Sequence, residues 1–109
     1  MVLLSEILIS MKRIEIVINE DSLDDLLELF QEANVRGYTL IKKAGGFGST
    51  GERDPDDYAL QQNNVIVVLA CEDEQAEKVI LSIHPKLKGF GGMCIMSDCQ
   101  WTRGPAVSY

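Results

Sequence analysis

From Lys12 to Asn19 apolar and polar positions alternate, with Ile14, Ile16 and Ile18 on one face and Arg13, Glu15 and Val17 on the other. That period of two predicts a strand with one buried side. The period then changes: Leu23, Leu26, Leu27, Phe30 and Ala33 recur at helical spacing and predict a helix over about Ser22 to Asn34. Ser22 is placed as its N-cap, Asp21, Asp24 and Asp25 complement the helix dipole, and Gly37 marks the stop or the turn just after it. Tyr38 to Ala44 reads as a second strand, and Val65 to Cys71 is an unbroken apolar run, as expected of a central strand buried on both faces. Ala76, Val79, Ile80 and Ile83 predict a second helix that begins at Asp73 and is ended by Pro85. Met93 to Met96 reads as a short last strand, and residues 97–109 as a tail.

The order strand, helix, strand, strand, helix, strand is that of the α+β ferredoxin-like βαββαβ fold, a four-stranded antiparallel sheet with both helices on one face. The other face then needs a cover for Val17 and Ile41, and copies of the same chain are the simplest one. Residues 45–63 carry neither period, and a structureless stretch that long in a compact domain points to function or disorder. Residues 1–10 are apolar but short, contain Glu6 and lack a basic start, so they read as an N-terminal extension rather than a leader, with residues 11–109 as a single domain.

Composition narrows the function. The chain has 109 residues, 46% hydrophobic, with 17 acidic against 10 basic side chains and a net charge of −7. An acidic surface disfavours nucleic acid or an anionic membrane as partner, and no run is long enough to insert in a bilayer. A small anion needs only a local group of donors, and the cations are placed for one. Lys42, Lys43 and Arg53 flank the first glycine cluster, Gly45 to Gly51, and Lys86 and Lys88 precede the second, Gly89 to Gly92. Consecutive glycines let backbone N–H groups point at an anion. Gly46-Phe47-Gly48-Ser49-Thr50-Gly51 satisfies the dinucleotide pattern GxGxxG, but the helix that pattern needs is replaced by an acidic loop with Pro55. A hinge for the long loop is the plain alternative.

Catalytic and metal readings are weaker. His84 is the one histidine and sits at a helix end, where capping is its ordinary role. Cys71 and Cys94 lie within strands, and Cys94 and Cys99 are not spaced as a zinc pair. Glu52, Asp54, Asp56 and Asp57 lack the pattern of a calcium loop, and Tyr58 is either a modification target or a docking anchor. Three cysteines without an export signal fit a cytoplasmic, reducing setting.

Over residues 11–103 the chain resembles the PII signalling superfamily. The resemblance rests on Gly37-Tyr38-Thr39-Leu40-Ile41-Lys42-Lys43-Ala44-Gly45-Gly46-Phe47-Gly48, like that family's second strand and the entry to its T-loop, and on Lys88-Gly89-Phe90-Gly91-Gly92, like its B-loop. It implies a T-loop at 45–63, a B-loop at 88–92, and a non-enzymatic homotrimer that binds adenine nucleotides between subunits and presents its T-loops to a target protein. By position, Thr39 would meet the adenine end. Gly46, Phe47, Gly48 and Ser49 would line one side of the phosphates, Gly89, Phe90, Gly91 and Gly92 the other, and Arg103 would reach the phosphates.

Two departures steer the reading. The nitrogen-sensing members carry Arg-Gln after the GFG turn, where this chain has Ser49-Thr50, which argues against 2-oxoglutarate. Phe90 and Gly92 stand where the family has Asp and Lys, which favours ADP or AMP over ATP. The pattern is similar to the branch linked to inorganic carbon, the carboxysome-associated proteins and bicarbonate-transporter regulators. That likeness implies bicarbonate at the T-loop base, held by Gly48, Ser49, Thr50 and Arg53. A nitrogen-regulatory PII protein, a small acylphosphatase using Arg13 and Asn19, and a metal-binding CutA-like trimer are the competing readings.

Overall fold

The computed structural model describes residues 1–44, 46–48, 51–53 and 63–104. A short helix α1 (Leu4–Ile7) leads into strand β1 (Leu8–Asn19), and a 3-10 turn at Glu20–Ser22 leads into helix α2 (Leu23–Glu32). Strand β2 (Thr39–Ala44) is followed by the short strands β3 (Gly46–Gly48) and β4 (Gly51–Arg53). Strand β5 (Asn64–Cys71), helix α3 (Asp73–Ile83), the short helix α4 (Leu87–Phe90) and strand β6 (Met93–Thr102) complete the order. The main sheet runs β2-β5-β1-β6, antiparallel at every pair, which is the ferredoxin-like arrangement the pattern predicts.

Alternation decides the faces. Ile14, Ile16 and Ile18 of β1 are fully buried and share their face with Val65, Val67 and Leu69 of β5. Leu23, Leu26 and Phe30 of α2 and Ala76, Val79 and Ile83 of α3 close over them, so both helices lie on one side. Each large aliphatic side chain buried in this way contributes on the order of 1.5–3 kcal/mol. The ends of α2 differ from expectation. Ser22 sits at the N-cap without a side-chain capping bond, and Asn34, not Gly37, takes the left-handed conformation (φ 59°) that stops the helix. Asparagine tolerates that region because its short amide bonds locally. Gln75 Nε2 then donates to the Asn34 carbonyl at 2.6 Å and ties the end of α2 to α3.

The central pair of strands is longer than the pattern predicts. β1 starts at Leu8 rather than Lys12, and β6 runs to Thr102, so Ser97 to Thr102 form ladder rather than tail. Leu8, Ile9 and Ser10 pair with Thr102, Trp101 and Gln100, beyond the last β5 partner at Cys71. Apolar alternation signals a strand only where a core lies underneath, and this two-stranded ribbon satisfies its backbone without one. The long loop also holds structure, since Gly46–Gly48 pairs with Gly51–Arg53; residues 45, 49, 50 and 54–62 lie outside the described residues.

The second sheet face carries Val17, Ile41, Ile66, Val68, Met93 and Ile95, with no helix over it. Ile41, Met93 and Ile95 are 50%, 53% and 51% exposed. The β5 run, expected to be buried on both faces, is therefore buried on one and only half-covered on the other in the single chain.

Candidate functional site

Three segments meet at one end of the sheet. Asn19 closes β1, aligned with Asn64 at the start of β5, and Ala44 at the end of β2 pairs with the same Asn64. The Glu20 N–H donates to the Asn63 carbonyl at 2.8 Å, which fixes the return of the long loop to the turn after β1. The second glycine cluster arrives at the same place. Gly91 caps α4 with φ 68°, a conformation that costs glycine little, and its Cα faces the Asn19 side chain: an added Cβ would lie 3.1 Å from Asn19 Cγ. Gly92 lies against the β1 backbone, where an added Cβ would be 2.7 Å from the Val17 carbonyl carbon and 2.9 Å from Ile18 Cα. Nothing larger than glycine fits there without moving β6.

The two loops thus share one sheet end but not one edge. The long loop leaves from β2, the 88–92 turn enters β6, and β5 and β1 lie between. At the usual strand spacing that separation is roughly 14 Å. Each outer edge presents one glycine-containing turn with cations beside it, Lys42 at the β2 edge and Lys86 and Lys88 before the turn, all exposed. Asn19 stands between them. In the sequence it closes the first strand, and its place as the first polar residue after the Ile14, Ile16, Ile18 alternation is the signal that marks it.

The remaining expected site residues fall in different places. Gly46, Phe47, Gly48 and Arg53 are in the β3–β4 ladder, whereas Ser49 and Thr50 lie outside the described residues. Thr39 is exposed at the start of β2, five residues and roughly 17 Å up the strand from Ala44. Gly89 is within α4 with open space around its Cα. Phe90 does not fit the expectation: its side chain is 5% exposed and belongs to the core, because the short helix turns it inward, so only its backbone faces the turn. Arg103 lies past the far end of β6, where its N–H donates to the Ile7 carbonyl at 2.6 Å. Ten strand residues put it more than about 30 Å from Gly92 within one chain.

The geometry also weighs the chemical alternatives. Arg13 and Asn19 are six residues apart on one extended strand, roughly 20 Å, and an acylphosphatase would have to bring them together. Among the described residues no group of three or more His, Cys, Asp or Glu could hold a metal ion. Burial pushes the Cys71 and Cys94 thiols above their ordinary value, with the Cys99 thiol adding to the effect at Cys71. Thiols held protonated in this way are poor nucleophiles at neutral pH. A cavity of about 420 Å³ lies far from the glycine turns, beside Lys12, Asp73, Asp98 and Cys99. There Lys12 donates to Asp98, and that bond and charge raise the Lys12 pKa.

Fold and site together define a class: a ferredoxin-like α+β domain with a long loop after its second core strand and a glycine turn before its fourth. Residues 11–105 match the family model for the nitrogen regulatory protein P-II, and the chain belongs to that family. No curated protein gives a significant match. Among solved structures, the chain is similar to CPII, a nitrogen regulatory PII-like protein from Thiomonas intermedia K12, bound to ADP, AMP and bicarbonate. That likeness has a TM-score of 0.79 at 22% identity and covers 88% of this chain and 92% of that one. CPII bound to ADP and bicarbonate gives 0.76 at 22% identity with the same coverage. The apo form gives 0.70 at 20% identity, covering 89% and 97%.

Proposed function

We propose that this chain is a non-enzymatic PII-like signalling protein of the cytoplasm, a homotrimer that binds ADP or AMP together with bicarbonate in clefts between subunits. The observation that carries the reading is the split site. The two glycine-bearing turns share one sheet end but sit on opposite edges, so a ring of copies joins the β2 edge of one to the β6 edge of the next. The exposed apolar face gives the ring a reason to form.

In such a cleft Gly46, Gly48 and Ser49 from one subunit and Gly89, Gly91 and Gly92 from its neighbour offer N–H groups to phosphate oxygens, and Thr39 marks the adenine side. Phe47 belongs to the first of these turns, and Phe90, a core residue, contributes its backbone only. Arg103 enters from the far end of a strand, so it serves a cleft only if its segment leaves Ile7. Gly48, Ser49, Thr50 and Arg53 form the bicarbonate side. CPII is also found bound to ADP, AMP and acetate, and acetate, like bicarbonate, is a small planar oxyanion suited to fixed N–H and hydroxyl donors. Bicarbonate and nucleotide together order residues 45–63, which dock to or leave a target, a bicarbonate transporter or a carboxysome-related protein.

Isothermal titration with ADP, AMP and ATP, each with and without bicarbonate, tests the reading. It expects ADP or AMP to bind and bicarbonate to tighten that binding, with Gly48→Ala weakening the bicarbonate effect. No heat from either nucleotide would overturn it. ATP binding strengthened by 2-oxoglutarate and magnesium would establish the nitrogen-regulatory alternative instead.

A further inference from the structure

Strands β1 and β6 continue past the sheet they belong to. The last rung shared with β5 is Lys12–Cys71, and beyond it Leu8, Ile9, Ser10 and Met11 pair with Thr102, Trp101, Gln100 and Cys99. The Arg103 N–H donates to the Ile7 carbonyl and closes this ribbon at its tip. The family match begins at Met11, so most of the β1 half of the ribbon lies outside the domain that the family model describes.

The ribbon is held mainly by its backbone. None of its side chains belongs to the core, and Met1, Val2, Leu3 and Leu4 ahead of it are all exposed, so nothing anchors the segment from behind. The Lys12–Asp98 ion pair stands at its root. Two strands with no layer packed beneath them are marginally stable in water, and such an element opens far more easily than the core sheet. At its tip sits an arginine with a fixed backbone and an uncommitted charge. The Arg103 side chain is exposed, and the two ion pairs among the described residues, Lys12–Asp98 and Arg13–Glu15, leave it out.

We propose that residues 1–10 form an intramolecular strap that withholds the 100–103 segment from the nucleotide cleft, so that strap and nucleotide compete for Arg103. The strap deepens the nucleotide-binding reading above and rests on it, since there Arg103 serves a cleft only once its segment leaves Ile7. With the ribbon closed, the backbone of Gln100 to Arg103 is spent on the ladder with Leu8 to Ser10 and on Ile7. With the ribbon open, that segment is free to turn, and a guanidinium can meet phosphate through paired charge-assisted bonds. Apparent affinity then scales with the open fraction: a ribbon open in about one chain in ten binds about tenfold more weakly than a chain without a strap. Deleting the strap therefore strengthens binding, the opposite of losing a ligand contact.

Isothermal titration with ADP tests this on the full chain, on the chain lacking residues 1–10 and on Ile9→Pro. The proline variant keeps the length and breaks the ladder: bonded pairs alternate along antiparallel strands, which puts Ile9–Trp101 next after Ile7–Arg103. Both variants, with far-UV circular dichroism confirming the fold, should bind ADP about tenfold more tightly than the full chain. Arg103→Ala should weaken binding and abolish the difference between full and truncated chains. In hydrogen exchange on the unaltered chain, saturating ADP should speed exchange of the Trp101 and Arg103 amides at least about tenfold. Equal or weaker ADP binding by the folded variants overturns the strap and leaves the nucleotide reading standing. So does a tightening that survives Arg103→Ala, or unchanged amide protection with ADP bound. No heat of ADP binding from any of these proteins overturns the nucleotide reading together with the strap.

Discussion

The three glycines of the 88–92 turn have different physical reasons to be glycine, and alanine substitution separates them. At Gly92 the added methyl would lie 2.7 Å from the Val17 carbonyl carbon and 2.9 Å from Ile18 Cα, all of it backbone of a central strand. No side-chain rotation relieves that overlap. The start of β6 must instead move away by on the order of an ångström, at the cost of the ladder around Val17–Met93 and Ile16–Cys94. Two ladder bonds at about 1 kcal/mol each, with a further 1 kcal/mol or so of disturbed packing, give about 3 kcal/mol of destabilisation. At Gly91 the methyl meets the movable end of Asn19, and the main penalty is φ 68°, about 1 kcal/mol. At Gly89 nothing lies within 4 Å and the residue is helical, so alanine should stabilise by about 0.5–1 kcal/mol. Urea unfolding of the three variants at one protein concentration should give the order Gly89→Ala, wild type, Gly91→Ala, Gly92→Ala. The last should also melt roughly 10 °C or more below wild type. Equal stability of Gly92→Ala and Gly89→Ala would refute the close-approach argument and leave ligand access as the one reason for glycine at position 92.

Three further outcomes follow from burial and register. Because burial raises the Cys71 and Cys94 thiol pKa values in the folded chain, the unfolded chain loses those protons first as pH climbs past about 9. Stability should therefore fall on the alkaline side, and the fall should be shallower in Cys71→Ala than in wild type; identical slopes would count against the burial effect. Native protein treated with iodoacetamide at neutral pH should label Cys71, which is buried, far more slowly than urea-unfolded protein does. Removing residues 1–10 should leave the chain folded, since Leu8 to Ser10 pair outside the core. The amides of Gln100 to Arg103 should then lose protection in hydrogen exchange, and unchanged protection there would contradict the ribbon.

Legibility varied with how local each feature is. Ile14, Ile16 and Ile18 against Arg13, Glu15 and Val17, and the helical spacing of Leu23, Leu26 and Phe30, each record which side of an element faces the core. Those elements were readable, as was the βαββαβ order that they compose. The ribbon was not, because Ser97 to Thr102 pair with Leu8 to Arg13 through backbone groups that leave no mark in side-chain pattern. The helix stop at Asn34 was missed for a related reason: glycine is the commoner left-handed residue, but an asparagine closer to the last helical turn takes the role here.

The candidate site divides the same way. Its glycines and lysines were visible as clusters, and the PII likeness placed them in two loops. What each glycine touches required coordinates, since Gly92 meets Val17 from 75 positions away in the chain. Phe90 looked like part of a ligand loop and is core, while Asn19 looked like a strand end and stands between the two loops.

By itself, then, the sequence determined which faces are buried, the order of the elements and the family to which they belong, because periodicity and short motifs are written in neighbouring residues. Only the tertiary structure decided that both glycine turns share a sheet end yet occupy opposite edges, and that Arg103 lies at the other end. Only there, too, do Arg13 and Glu15 sit paired within an otherwise apolar face. Strand order and register fix those relations by joining residues far apart in the chain, and no local pattern encodes them.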